Sequence, residues 1–322
     1  MRKLGCAGLL AVLALIGVLF FAVQDWGGRG PAPRAISFTV PEGASLSGTA
    51  ARLQRAGVIA SATRFKMLVR VFGAGTGIKA GDYHFPAHMS QSDVLRLLQG
   101  GKTVQRLVTI PEGMPSVLVQ ERLMAVDELT GEIPVPAEGS LLPDSYSYER
   151  GDTRERVVAR MQAAMKRYLA AAWANRKPGI AVKTPEEALI LASIVEKETG
   201  KPSERRMVAA VYSNRLKQPG FRLQADPTII YPITRGKPLG RRILLSEVRA
   251  KNAYNTYSMA GLPAGPICNP GRASIDAVLD PAQSSAKYFV ADGTGGHAFA
   301  DTLAQHDANV AKWRAIRKKR GI

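Results

Sequence analysis

Two glutamates close the apolar run at residues 189–200 (Leu-Ile-Leu-Ala-Ser-Ile-Val-Glu-Lys-Glu-Thr-Gly), and their helical phases differ. At 3.6 residues per turn Glu198 stacks over Ile194, Val195 and Leu191, whereas Glu196 points roughly 160° away, over Ala192, Ser193 and Leu189. A carboxyl that continues an apolar stripe is partly stripped of water, which disfavours its charged form and raises its pKa. A general acid working near neutral pH needs that property. The plain alternative for either residue is a solvated helix end.

Other segments carry more polar chemistry than a core requires. Leu223-Gln-Ala-Asp-Pro-Thr offers Gln224, Asp226 and Thr228 on an extended segment after the Pro219-Gly220 turn. Asn252-Ala-Tyr-Asn-Thr-Tyr supplies Tyr254, Asn255 and Tyr257, residues 261–271 form a rigid Gly/Pro loop, and Gly295-Gly-His-Ala-Phe sets His297 beside a glycine turn. Aromatic faces stack on pyranose rings, and amides and hydroxyls bond sugar hydroxyl and acetamido groups, so together these residues would suit a sugar-binding groove. Taken singly, each has a bland reading as a turn, a core tyrosine or a surface histidine. Glu204 follows a turn that leaves its direction unreadable, and it is a candidate second carboxylate. The chain has no G-x-x-x-x-G-K-[ST] loop and no G-x-S-x-G. Its four histidines form no H-x-x-x-H or Cys/His cluster, so no metal and no cofactor is expected.

The elements that must position these groups follow from pattern. Strands are expected at 38–40, 80–85, 108–110, 287–290 and 297–299, the last two joined by the glycine-rich 291–296. Helices are expected over 46–56, 62–72, 91–99, 116–125, 153–174, 186–197 and 203–217, with a last one from about 302. Phe38-Thr-Val-Pro-Glu-Gly-Ala-Ser and Val108-Thr-Ile-Pro-Glu-Gly-Met-Pro-Ser form a weak internal repeat of strand, turn and helix cap. Strands and helices do not alternate regularly, so the fold class is α+β and not doubly wound.

Residues 1–24 read as a membrane anchor, 25–35 as a Gly/Pro linker, 36–107 as a small α+β module and 108–322 as a larger mixed domain. Residues 4–23 are uncharged and long enough to cross a bilayer. Arg2 and Lys3 before them predict a single pass with the N-terminus cytoplasmic and the rest outside, at the inner membrane. A cleaved signal peptide is the rival, but no Ala-x-Ala site stands near 21–27. Cys6 and Cys268, the two cysteines, are too far apart in sequence and placement to form an expected disulfide. A net charge of +18 suggests an anionic partner, whether nucleic acid, lipid headgroups or wall polymer, although the basic tail at 312–320 reads more plainly as a solvated helix end than as a dedicated binding site. Nucleic acid is not expected, since the anchor opposes it and no helix–turn–helix or RNA-binding aromatic signature occurs.

The strings Ala192-Ser-Ile-Val-Glu-Lys-Glu-Thr, Ser203-Glu-Arg, Asn214-Arg-Leu, Leu223-Gln-Ala-Asp-Pro-Thr, Tyr254-Asn-Thr-Tyr, Gly261-Leu-Pro and Gly296-His-Ala-Phe occur in that order. In them the chain resembles the endolytic murein transglycosylase (YceG-like) family, over nearly its whole length. Two departures are visible: Phe221 stands where methionine is expected, in a loop one residue longer than usual, and Ala264 replaces a proline. The resemblance implies a LysM-like module at 36–107 and a catalytic domain at 108–322 that cuts the MurNAc–GlcNAc β-1,4 bond of nascent glycan strands, leaving 1,6-anhydro ends. It implies Glu198 as the acid/base, Thr199 after it, and Gln224, Asp226, Thr228, Tyr254, Asn255, Tyr257 and His297 as substrate-binding groups. It further implies peptidoglycan synthases as neighbours and an end to strand elongation. The alternative from another class is a non-catalytic, membrane-tethered glycan-binding protein.

Overall fold

The computed structural model describes residues 2–41, 43–73, 77–100, 104 and 106–321, the side chains of 2–11, 15 and 19 excepted. The chain forms two compact units, Met1–Arg106 and Leu107–Ile322.

The first unit begins with α1 (Arg2–Gly27), followed by β1 (Ile36–Val40), α2 (Leu46–Arg55), α3 (Ala62–Phe72), β2 (Gly81–Phe85) and α4 (Gln91–Gly100). Serines start three of these helices. Ser45, Ser61 and Ser90 accept from the backbone N–H of Gly48, Arg64 and Asp93, each satisfying a donor that the first turn leaves orphaned. The strands pair antiparallel with Phe38 opposite Tyr83. Phe38, Val40, Tyr83 and Phe85 then bury one face of this ribbon against Leu53, Phe65, Val94 and Leu98. Trp26, near the end of α1, packs on Phe65 and Phe72. The expected span 4–23 includes side chains outside the description, and among the described residues no helix is long and apolar enough to cross a membrane. Glu42 of the first Pro-Glu-Gly turn also lies outside the described residues.

β3 (Arg106–Thr109) starts at the boundary, and the second unit continues with α5 (Ser116–Met124), β4 (Ser145–Tyr148), α6 (Arg154–Ala174) and α7 (Pro185–Glu198). After a 3₁₀ turn at Pro202–Glu204 come α8 (Arg205–Lys217), α9 (Pro227–Thr234), α10 (Leu245–Arg249), α11 (Arg272–Leu279), β5 (Tyr288–Ala291), β6 (His297–Ala300) and α12 (Leu303–Arg320). β3 lies beside β4, and β5 pairs antiparallel with β6. Helices with small two-stranded sheets make this a mixed α+β fold.

The helix α7 is the centre of the larger core. Thr184 caps it by accepting from the N–H of Glu187, Pro185 opens it at its first turn, and Glu186 and Glu187 face the positive end of its dipole. Leu191, Ala192, Ile194 and Val195 are fully buried in one cluster with Val208, Tyr212, Leu223 and Ile275. At roughly 1.5–3 kcal/mol for each large aliphatic side chain buried, this packing holds α7 firmly enough to define where its last residue points.

Three helices and one strand differ from the sequence expectation. Asp226-Pro227, expected on an extended segment, instead starts α9, because proline fits the first helical position; Thr-Ile-Ile and the internal Pro232 hid the helix. α10 is barely more than one turn. α11 has no side-chain cap of its own. β4 lies in what reads as an aromatic loop.

Candidate active site

Glu198 ends α7, and the neighbouring helices close around it. Tyr212 on α8 is fully buried, and its hydroxyl hydrogen-bonds to the Glu198 carboxyl. Burial pushes the Glu198 carboxyl up to about 7, with a further rise from the charge of Asp226. The bond from Tyr212 and the charge of Arg215 pull the other way but do not prevail. The negative end of the α7 dipole adds to the disfavour of an anion there. Taken as a whole residue Glu198 is half-buried, unlike the fully buried Ile194 and Val195 that precede it on the helix.

Arg215 lies one helical turn beyond Tyr212 and is itself almost wholly buried. Its Nε donates to the carbonyl of Lys287 at 2.6 Å and its Nη1 to the carbonyl of Leu223, so the guanidinium is hydrogen-bonded and not merely desolvated. The rings of Tyr212, Phe221 and Tyr288 surround it at 5.5–5.8 Å. Phe221, one of the two departures noted above, therefore forms a wall of this aromatic box and meets Tyr288 edge-on.

Asp226, the N-cap of α9, is exposed, and its Oδ1 accepts from the Tyr257 hydroxyl at 2.6 Å. Gln224 is exposed on a left-handed backbone (φ 51°), a conformation that costs a residue with a side chain about 1 kcal/mol or more. Its N–H bonds the carbonyl of Thr256 and so holds the strained segment against the 252–257 loop. Tyr254 packs its ring on Tyr231 at 4.9 Å, and Glu138 anchors the Tyr231 hydroxyl.

Thr228 and Asn255 occupy a different place from the one expected of sugar-binding groups. Both are fully buried. Thr228 Oγ1 bonds Thr256 Oγ1 at 2.8 Å and the Ala225 carbonyl at 2.6 Å. Asn255 Nδ2 serves the carbonyls that end α10, those of Val248 and Ala250 among them, while its Oδ1 receives the N–H of Tyr257. They brace the loops that present Asp226 and Tyr257, and their polar atoms are already committed.

His297 is also engaged away from Glu198. Its Nδ1 meets Glu204 Oε2 at 2.8 Å, its N–H bonds Glu204 Oε1, and Lys201 adds an ion pair at 3.2 Å. Burial would raise the Glu204 carboxyl, but these bonds outweigh it and hold the group below its ordinary range. Glu204 is thus a fixed anion tying β6 to the start of α8. The carboxylate whose charge acts on Glu198 is Asp226.

Glu196, in the opposite phase, caps α11. Its Oε2 accepts from the Gly271 N–H at 3.0 Å and the Ser274 hydroxyl at 2.7 Å, with Arg205 3.8 Å from its other oxygen. Thr199 is buried and closes the turn after α7 by accepting from the N–H of Lys201. Tyr212 and Arg215 are absent from the candidates that residue type and motif offer. The signal existed: Val208, Val211, Tyr212 and Arg215 fall at i, i+3, i+4 and i+7, so a guanidinium occupies an inward-facing stripe. Among the described residues no group of three or more His, Cys, Asp or Glu could hold a metal ion.

A sequence model described as the YceG-like family matches residues 38–312. A protein of Bacillus subtilis (strain 168) named endolytic murein transglycosylase is 28% identical over 317 residues, covering 88% of this chain and 86% of that one. A protein of the same name from Streptococcus pneumoniae (strain D39 / NCTC 7466) is 28% identical over 326 residues; the alignment takes in 86% of this chain but spans only 58% of that relative's length. Among solved structures, one described as a YceG-like protein from Listeria monocytogenes superposes with a TM-score of 0.52 at 28% identity, covering 86% of this chain and 99% of that one.

Proposed function

This chain belongs to the YceG-like family, and from that premise we infer that it is an endolytic peptidoglycan lytic transglycosylase acting on the MurNAc–GlcNAc β-1,4 bond. The names of its relatives support the reaction class. The observation that carries the residue assignment is a glutamic acid pushed up to about 7 at the end of an apolar helix. Protonated Glu198 donates to the glycosidic oxygen as an oxocarbenium-like transition state develops. The substrate's acetamido oxygen stabilises that cation, so no carboxylate nucleophile is needed. Glu198, now an anion beside Tyr212 and Arg215, takes the proton of the muramic acid 6-hydroxyl as that oxygen attacks C1. The glycan is cut and a 1,6-anhydro ring closes, without water being consumed. Gln224, Asp226, Tyr254 and Tyr257 offer exposed or half-buried polar and aromatic surface for the sugars.

Residues 1–24 act as a membrane anchor in this reading, with the N-terminus cytoplasmic and both the LysM-like module (36–107) and the catalytic domain (108–322) outside. Support comes from the 26-residue α1, whose Val12, Leu13, Ile16 and Phe21 are exposed apolar side chains. Placed there, the enzyme would trim nascent strands next to the synthases that make them and so end their elongation.

The test is digestion of purified sacculi by the full chain, with the products read by mass spectrometry. Anhydro-muropeptides from the native chain and none from Glu198→Gln are expected. Reducing ends in place of anhydro ends, or variant activity within tenfold of native, would defeat the assignment. For the anchor, carbonate extraction should leave the full chain in the membrane pellet and release a form lacking residues 1–24.

A further inference from the structure

A cleft of about 500 Å³ opens in the second unit, and none of the groups that the reaction above uses lines it. Its walls come from the turn before α5, from α9 and from the loop that follows α9. Met114, Leu118, Ile230 and Leu239 line it, with Tyr231 and Lys197. It is tied to the site by Tyr231, whose ring meets that of Tyr254 at 4.9 Å, and by chain neighbours: Lys197 precedes Glu198, and Pro227, also on the wall, follows Asp226. The wall is braced from behind. Glu138, which anchors the Tyr231 hydroxyl, itself accepts from the Ser116 N–H at 2.9 Å and hydroxyl at 3.1 Å.

The chemistry of the walls is wrong for a sugar ring, which needs several free donors and acceptors around it. Glu112 pairs with Arg205, Lys237 with Glu121 at 2.6 Å, and Tyr231 with Glu138. Lys197 alone among these has no carboxylate partner among the described residues; its ammonium reaches only the Gly113 carbonyl, at 3.4 Å. An apolar trough with one uncommitted cation suits a short chain of small aliphatic side chains bearing a carboxylate. Murein supplies such a chain. The lactyl ether of the muramoyl ring carries a peptide of small and acidic residues, and this is the ring whose anomeric carbon is attacked. That peptide must therefore leave the site within a few bonds of the acid.

We propose that the cleft receives the peptide stem of the murein strand, its alanyl side chains against Met114, Leu118, Ile230 and Leu239 and a stem carboxylate on Lys197. The proposal rests on the murein reading of the site and extends it to substrate selection: strands that carry peptides bind better than bare glycan.

The test uses the full chain with Glu198→Gln, in detergent, so that nothing is cut. Its affinity is measured by fluorescence titration for murein strands bearing peptides and for the same strands stripped by an amidase. Peptide-bearing strands should bind at least fivefold tighter. Adding Leu239→Asp or Lys197→Met should abolish that preference while affinity for stripped strands stays within twofold, which also shows that the variants are folded. Equal affinity for the two strands overturns the proposal, as does a preference that survives both substitutions. A parallel loss on stripped strands overturns it too, since the cleft would then hold sugar. Failure of the cutting chemistry is separately visible: native chain that yields no anhydro ends removes the enzyme reading but leaves this binding ratio to stand or fall by itself.

Discussion

The surroundings of Glu198 and of Glu204 use the same residue type in opposite ways. Both residues lie in the second unit, Glu198 at the end of α7 and Glu204 in the 3₁₀ turn against β6, and burial raises both carboxyls. Glu204 receives a histidine ring, a backbone N–H and a lysine, and its charged form wins. At Glu198 burial, joined by the charge of Asp226, outweighs the tyrosine hydroxyl and the charge of Arg215, and the neutral form wins up to about pH 7. Burial alone therefore does not make an acid; the balance of donors and anions at the carboxyl decides between proton carrier and fixed charge. Glu196 repeats the lesson two residues from Glu198, where two donors at the start of α11 make it a helix cap.

The comparison breaks first if the two glutamates respond alike to substitution. Glu198→Gln should lower kcat on sacculi by on the order of 10³-fold, the usual range for loss of a positioned acid. Glu204→Gln should leave activity within tenfold of native. Equal losses would show that Glu204 belongs to the chemistry.

Stability supplies a second contrast, with a sign that can be worked out. The Glu198 pKa is raised on folding, so its contribution is fully present below about 4.5 and is lost as pH rises through about 7. Neutralising the residue removes that loss. The unfolding free energy of Glu198→Gln should gain on native by up to about 3 kcal/mol between pH 4 and pH 8, in chemical denaturation at both pH values. The Glu204 pKa is depressed, so its contribution is present at neutral pH and fades as pH falls through the acid range. His297→Ala should cost roughly 1–3 kcal/mol at pH 7 by stripping a buried carboxylate of a donor, and less at pH 3. A His297→Ala penalty that does not change with pH would break this half of the contrast.

The smallest effects sharpen the account most. Asp226→Asn removes a charge that raises the Glu198 pKa, so the fall of kcat/KM on the alkaline side should move to lower pH, by about half a unit to one unit. Tyr212→Phe removes a bond that favours the anion, so the same limb should move to higher pH. Shifts in one direction for both variants would mean that the limb reports some other group.

Much of this site is written in local pattern. The phase of α7 separates Glu198 from Glu196 because a buried helix leaves few choices for where its last turn points. Helices with serine or threonine caps lie within a residue or two of their expected bounds, since caps and apolar stripes act over a single turn. What was illegible depends on distant partners. The start of α11 is capped by Glu196, 75 positions away, and no local signal announces it. Asp226-Pro227 is equally compatible with a turn and a helix start until α9 packs. Thr228 and Asn255 carry sugar-binding chemistry by type, yet their bonds run to Thr256 and the end of α10, so exposure and not residue type separates brace from contact.

The most direct test of the central claim is a ¹³C NMR titration of the Glu198 carboxyl in the full chain, assigned by its loss in Glu198→Gln. A midpoint near pH 7 is predicted, moving down in Asp226→Asn. A midpoint near 4.5, the value of an ordinary glutamate, would contradict the account.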